Sequence, residues 1–213
     1  MALKAKICGV STPEAARAAL EGGAGWLGFV FFPKSPRNVS LEAAARLAEP
    51  IRGRAKVVAL LVDPTDAEVD EVARGLQPDL IQLHGQESPA RTREIAARAG
   101  CGIIKALPVA EASDLAAAGA YESLVEHLMF EGKPPKDAAL PGGAGRAFDW
   151  SLMAGRRFAR PWFLAGGLDP WNVAEAARVS GAPLVDVSSG VERGPGLKDP
   201  ALITAFLDAV RRA

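Results

Sequence analysis

Eight short apolar runs, separated by alanine-rich stretches with helical periodicity, constrain the fold of this chain more than any other feature. The runs lie at residues 5–8, 26–32, 56–62, 80–84, 102–107, 124–130, 162–166 and 184–189. Alternating strands and helices are typical of a parallel sheet, and eight such units in 213 residues close most simply into a barrel. An open, doubly wound sheet is the alternative. We therefore expect an α/β fold in which residues 1–213 form a single (β/α)8 barrel domain.

The stretches between the runs carry signals for helix starts and ends. Side chains that can cap a helix N-terminus, each followed by a proline or by a glutamate three residues later, are Ser11, Thr65, Ser88, Asp169 and Asp199. Two glycines lie where helices are expected to end, because glycine accepts the left-handed conformation; these are Gly75 and Gly100.

The charge balance argues against a polyanionic partner. Twenty-five basic residues match twenty-five acidic ones, so no global field attracts nucleic acid or an anionic membrane. A small substrate or a locally recognised anion fits this composition better. No apolar run reaches the roughly 20 residues of a membrane span, and no signal-peptide pattern precedes the first helix. We expect a cytoplasmic protein whose two cysteines, Cys8 and Cys101, are free thiols.

In a barrel, chemistry takes place at the carboxyl ends of the strands and in the loops that follow them. The first run ends at Cys8, for which two interpretations stay open. Free cysteines are often small buried hydrophobes. At the mouth of a barrel, next to a glycine and a helix start, backbone dipoles could instead stabilise a thiolate that acts as base or nucleophile.

Three other side chains occupy the expected mouth of the barrel. Arg37 follows the second run in a proline-braced turn and is a candidate clamp for an anion or hydroxyl. His84 ends the fourth run, where it could transfer protons or orient polar neighbours, although the sequence shows no carboxylate partner for it. Glu131 ends the sixth run, and a carboxylate there is costly unless paired or protonated, which favours a general acid.

The last two runs end in small residues that suit phosphate. Gly166 and Gly167 follow the seventh run, and Ser188, Ser189 and Gly190 close the eighth. Barrels often bind phosphate in these two loops through backbone N–H groups. The Pro/Gly-rich residues 131–145 are interpreted as a long active-site loop. The residues alone thus predict a barrel enzyme for a phosphorylated small molecule.

Motifs along the whole chain resemble the phosphoribosylanthranilate isomerase family of tryptophan biosynthesis. They occur in the family's order: KICG at 6–9, GFVFFPKSPR at 28–37, QLHG at 82–85, KAL at 105–107, LPGGAGRAFDW at 140–150, LAGGL at 164–168, VDVSSGVE at 185–192 and GLKD at 196–199. The resemblance implies an Amadori rearrangement of N-(5'-phosphoribosyl)anthranilate, without metal or organic cofactor.

The resemblance also implies roles for individual residues. Cys8 would be the general base that takes the proton from C2', and Glu131 the general acid that protonates the furanose oxygen to give a Schiff base. Arg37 and Asp186 would line the substrate site, and His84 is placed with them. The phosphate would be held by Gly166, Gly167, Ser188, Ser189 and Gly190.

One departure from the family pattern matters. The family usually has aspartate where this chain has Glu131, and a displacement of about 1 Å can cost about 100-fold in rate. We expect Gly132 to let the backbone retreat and restore the distance. Two alternatives stay open, a catalytically impaired barrel that binds a phosphosugar and an isomerase of a different amino-aldose phosphate. A monomer and a homodimer are both compatible with the sequence.

Overall fold

A computed structural model describes residues 2–133 and 147–213 and shows a closed barrel of eight parallel strands in sequence order. The strands are β1 Lys4–Cys8, β2 Trp26–Phe31, β3 Lys56–Leu61, β4 Leu80–Leu83, β5 Gly102–Val109, β6 His127–Gly132, β7 Trp162–Leu164 and β8 Leu184–Val187. Because β1 pairs with both β2 and β8, the ring is complete. The predicted (β/α)8 barrel is confirmed, and the open sheet is excluded.

Helices surround the barrel in the connections between its strands. They are α1 Pro13–Glu21, α2 Leu41–Ala48, α3 Asp66–Leu76, α4 Pro89–Ala99, α5 Val173–Ser180 and α6 Pro200–Arg212. After β5 a 3-10 helix, Ala112–Ala120, takes the place of an α-helix, and shorter 3-10 segments lie at Glu49–Ile51, Trp150–Met153 and Ser189–Val191. A small antiparallel hairpin follows β8 and consists of β9 Glu192–Gly194 and β10 Leu197–Lys198. Among the described residues, no helix is long and apolar enough to span a membrane.

Most of the predicted helix caps are confirmed. Thr65 forms a full capping box with Glu68 at the start of α3. Ser88 and Asp199 accept hydrogen bonds from backbone N–H groups at the starts of α4 and α6. Gly100 ends α4 with a φ of 65°, in the left-handed region that glycine favours.

Three expected helix boundaries are wrong. Thr12, rather than Ser11, caps α1. Asp169 binds the N–H groups of the turn before α5, which begins only at Val173. Helix α3 continues through Gly75, where a Cβ atom would lie 2.4 Å from Leu41 Cδ2, so this glycine allows close packing between α2 and α3 rather than ending a helix.

The sixth strand is shifted from its predicted position. It covers His127–Gly132 rather than 124–130, because the partner strand β5 continues to Val109 and pairs Pro108 with Glu131. Glu131 is therefore part of the strand. By contrast β4, β7 and β8 end earlier than expected, so His84 and the small residues of the last two turns lie just beyond the strand ends.

The barrel interior changes from apolar at its amino-terminal end to polar at its carboxyl end. Trp26 packs edge-on against His127 and Phe163, with ring centroids 5.7 and 5.0 Å away, and these rings fill the amino-terminal end. Above them, the buried side chains of Lys6, Gln82 and Asp186 enter the interior. A polar layer inside a barrel places the candidate chemistry at the carboxyl end.

Candidate active site

Strand alternation brings the predicted base to the mouth of the barrel. Residues two apart on a strand face the same side, so Cys8 and Lys6 share the interior face of β1. Cys8 is 4% exposed and packs against Val30 and Leu60. Its carbonyl oxygen accepts a hydrogen bond of 3.1 Å from Ser188 Oγ, which joins the ends of β1 and β8. Both cysteines are free thiols, as predicted.

Burial decides the charge of Cys8 in this structure. Desolvation raises the pKa of the Cys8 thiol above its usual value, since a buried thiolate loses its hydration. The charge of Lys6 acts in the opposite direction, and Asp186 adds to the increase. Of the two interpretations that the sequence left open for Cys8, the neutral buried thiol is therefore the favoured form here.

A buried ion pair lies beneath the thiol and was missed by sequence reasoning. Lys6 Nζ donates to Asp186 Oδ1 at 2.7 Å, and Lys6 is fully buried. Burial acts to lower the pKa of Lys6, but Asp186 and Cys8 outweigh it, so the pKa is raised and the ammonium form is kept. The alternation of β1 could have revealed Lys6, because it lies two residues before Cys8.

Glu131 is held by the histidine for which the sequence showed no partner. His84 Nε2 lies 2.8 Å from Glu131 Oε1, and both side chains are nearly buried. On the other side of the ring, Gln82 Nε2 lies 3.0 Å from His84 Nδ1. The sequence did not show this partner, because it is the fold that brings the end of β4 and β6 to the same part of the barrel mouth.

The surroundings of His84 favour the protonated form of its imidazole. Burial acts to lower the pKa of His84, but the charge and hydrogen bond of Glu131, with Asp186, raise it above the ordinary value. A raised histidine pKa means that protonation accompanies pairing with the carboxylate. The His84–Glu131 pair can therefore hold a proton next to the space where a substrate would lie.

This pairing predicts a pH-dependent contribution to stability. Because the folded pKa of His84 is raised, its stabilising effect is full below the unfolded value of about 6.5 and is lost as pH rises through the folded value. We expect His84→Gln to lower the free energy of unfolding most at acidic pH, with the difference from wild type shrinking as pH rises. Urea unfolding at a series of pH values measures this. A difference that grows with pH would contradict the pairing.

Glu131 and Gly132 lie in the regularly paired part of β6. Strand β6 stays paired with β5 through Glu131 and Gly132, opposite Pro108 and Val109. The expectation that Gly132 lets the backbone retreat stays a prediction. The Glu131 side chain reaches His84.

Arg37 belongs to a second buried cluster at the mouth. Its Nε and Nη2 atoms donate to Glu192 Oε1 and Oε2 at 2.7 and 2.8 Å. Lys198 Nζ also pairs with Glu192 Oε1 at 2.5 Å and donates to the Ser188 carbonyl at 3.0 Å. Burial opposes ionisation of Glu192, but the two cations lower its pKa overall. Sequence reasoning assigned no role to Glu192 or Lys198, although both lie in motifs that it quoted.

The residues predicted to bind phosphate form two facing turns. Gly166 and Gly167 have φ values of 85° and 69°, which glycine tolerates best, and Asn172 Nδ2 donates to the Gly167 carbonyl at 2.8 Å. A Cβ atom on Gly190 would lie 1.9 Å from the Leu168 carbonyl oxygen, so only glycine allows this approach. The structure therefore brings the turns after β7 and β8 into contact.

Two further observations complete the site. Within residues 2–133 and 147–213, no group of three or more His, Cys, Asp or Glu side chains is placed to hold a metal ion. The predicted active-site loop at 131–145 lies outside the described residues from residue 134 onward.

The fold and the site together define a (β/α)8-barrel protein with a buried thiol, a His–Glu pair and glycine turns at its carboxyl end. The sequence model of the family described as N-(5'-phosphoribosyl)anthranilate (PRA) isomerase matches residues 5–209. The chain belongs to this family.

Individual proteins of this family are similar to this chain over nearly its full length. The N-(5'-phosphoribosyl)anthranilate isomerase of Caulobacter vibrioides is 64% identical over 210 residues, covering 98% of this chain and 96% of that protein. That of Parvibaculum lavamentivorans is 52% identical and covers both chains completely. The crystal structure of the Thermotoga maritima isomerase is 36% identical, with a TM-score of 0.88 over 99% of this chain and all of the other.

Proposed function

We propose that this protein converts N-(5'-phosphoribosyl)anthranilate into 1-(2-carboxyphenylamino)-1-deoxyribulose 5-phosphate in tryptophan biosynthesis. Family membership supports the reaction. A phosphoribosyl anthranilate isomerase structure, 34% identical with a TM-score of 0.85 over 99% of this chain and all of that one, contains a reduced form of this product. The observation that carries the proposal is that the thiol at the end of β1 and the Glu131 carboxyl on β6, which lies 2.8 Å from His84 just beyond β4, are at the same end of the barrel.

The first step in this proposal is ring opening. Glu131, sharing a proton with His84, donates it to the furanose oxygen while the C1'–O bond breaks. The nitrogen lone pair forms the C=N bond, which leaves a protonated Schiff base. The 2.8 Å contact between His84 and Glu131 supports this step because it keeps a proton on a buried pair at the mouth.

The second step is proton abstraction by Cys8. The thiolate takes the proton from C2', the electron pair neutralises the iminium, and the resulting enaminol tautomerises to the ketone. At this point Cys8 is a thiol and Glu131 a carboxylate, so one proton must return from the first to the second through solvent. The raised pKa of Cys8 agrees with the thiol form that ends a turnover.

Substrate binding is assigned to the remaining predicted residues. Arg37 uses two of its N–H groups on Glu192, and a guanidinium has five, so donors remain for an anionic or hydroxyl group. Asp186 and His84 would contact the ribose portion from the barrel interior. We propose that the phosphate lies against the backbone N–H groups of Gly166, Gly167, Ser188, Ser189 and Gly190.

The phosphate site can be tested with a glycine that the packing requires. Gly190→Ala places a methyl group against the Leu168 carbonyl and should displace the turn after β8. We expect a rise in KM of at least about tenfold, the effect of losing about 1.4 kcal/mol of binding, together with weaker competition by inorganic phosphate. Gly119→Ala, at a position with open space around it, is the matched control. Unchanged KM and phosphate inhibition in Gly190→Ala would remove the phosphate from this turn.

The setting of the reaction follows from the same proposal. We propose a cytoplasmic enzyme that works as a monomer or a homodimer. A crystal structure of monomers generated from the dimeric Thermotoga maritima isomerase, 34% identical with a TM-score of 0.84 over 99% of this chain and all of that one, shows that both states occur for that protein.

A further inference from the structure

We propose that Lys6 is a positioning residue that stabilises the thiolate of Cys8, in the space left by the missing side chain of Gly28. This inference rests on the proposed role of Cys8 as the base and adds the group that makes its ionisation possible. A buried lysine inside a barrel requires an explanation beyond packing, because burying an ammonium is costly unless it is paired.

Gly28 brings the two atoms together. A Cβ atom on Gly28 would lie 3.0 Å from Lys6 Nζ and 3.2 Å from Cys8 Sγ, so the amine and the thiol border the same small space. Gly28 is paired with Cys8 across β1 and β2, and its φ is not in the left-handed region. Glycine at this position therefore leaves space that the amine and the thiol both border, rather than allowing an unusual backbone conformation.

The other charged groups near Cys8 stabilise a thiolate less than Lys6 does, or oppose it. Asp186, from β8, accepts from Lys6 at 2.7 Å and acts against a thiolate. Lys198, from β10, lowers the pKa of Cys8 only as a smaller contribution and is itself paired with Glu192 at 2.5 Å. The Arg37–Glu192 and His84–Glu131 pairs at the mouth each combine a cation or proton with a carboxylate. Among the charged groups near Cys8, Lys6 thus has the largest effect in favour of the thiolate.

The arrangement assigns Lys6 two alternating partners. While Cys8 is a thiol, the ammonium pairs with Asp186. When Cys8 loses its proton, the same ammonium can turn toward the sulfur without leaving the buried layer, since Nζ is the end of a flexible side chain. No proton is transferred by Lys6, and its charge is unchanged throughout.

The test is the ionisation of Cys8, measured without turnover. The absorbance of the thiolate near 240 nm is titrated from neutral to alkaline pH in a Cys101→Ala background, with Cys8→Ala/Cys101→Ala subtracted as the blank for Tyr121. The key comparison is Lys6→Met/Asp186→Asn against Asp186→Asn, because these differ only at residue 6, where methionine keeps an unbranched side chain without the charge. We expect the midpoint of the first to lie at least about one pH unit higher, which is about tenfold less thiolate at a given pH.

Gly28→Ala provides a second variant that keeps every charge. The added methyl group should separate Nζ from Sγ and raise the midpoint above that of the Cys101→Ala background. If circular dichroism shows that Lys6→Met/Asp186→Asn does not fold, the comparison of Gly28→Ala with the Cys101→Ala background decides alone. Equal or lower midpoints in the variants would overturn the role of Lys6. Because the titration needs no substrate, a missing isomerase activity would be detected separately and would count only against the proposed function.

Discussion

Replacing Cys8 with alanine should lower kcat by about 10²–10⁴-fold, the usual contribution of a positioned general base. Cys8 is 4% exposed and its sulfur borders the same small space as Lys6 Nζ, so no water molecule is expected to replace the sulfur with the same geometry. Binding of the phosphate should change little, because the turns after β7 and β8 do not use the thiol. Steady-state kinetics and phosphate inhibition measure both effects.

Cys101→Ala is the matched control for this change. Cys101 is half-buried just before β5, and burial raises its pKa to about 11, so it is an inert thiol outside the site. We expect this variant to turn over like the wild type. A Cys8→Ala protein that retains near-normal kcat would show that another group removes the C2' proton.

Replacing Glu131 with glutamine should have an effect of similar size, about 10²–10⁴-fold on kcat. Glutamine keeps the length of the side chain and can still accept from His84, but it cannot carry the proton that opens the ring. The variant also removes the carboxylate charge that raises the pKa of His84, so this pKa should fall. Steady-state kinetics and NMR titration of the imidazole report the two consequences.

The double variant His84→Gln/Glu131→Gln tests whether the two residues act as one unit in catalysis. If the pair acts as one proton store, the double variant should be no slower than Glu131→Gln alone, since the losses of a coupled pair do not add. An unchanged kcat in Glu131→Gln would mean that Glu131 has been assigned the wrong role.

The sequence was sufficient for the architecture because it depends on local patterns. Strand periodicity and caps such as Thr65 are decided by nearby residues, and strand ends then place Cys8 and Glu131 at one mouth by a general rule of barrels. The shift of β6 escaped prediction because its end depends on how far β5 continues, which is a tertiary property.

The ion pairs of the site could not be predicted in the same way. Lys6 meets Asp186 across 180 positions of sequence, and Arg37 meets Glu192 across 155. Such pairs depend on barrel closure and on the hairpin after β8, and a single sequence does not reveal them. The sequence also left the ionisation of Cys8 open, because it depends on burial and on the charges that the fold brings near the thiol.

The most direct test of the central claim is steady-state turnover of N-(5'-phosphoribosyl)anthranilate by the purified protein, followed by loss of substrate fluorescence beside a Glu131→Asp variant. Our account predicts efficient turnover with glutamate and no gain with aspartate, because the Glu131 carboxyl already reaches His84 at 2.8 Å. Negligible turnover that appears only when aspartate is introduced would contradict it and would favour the impaired phosphosugar-binding barrel.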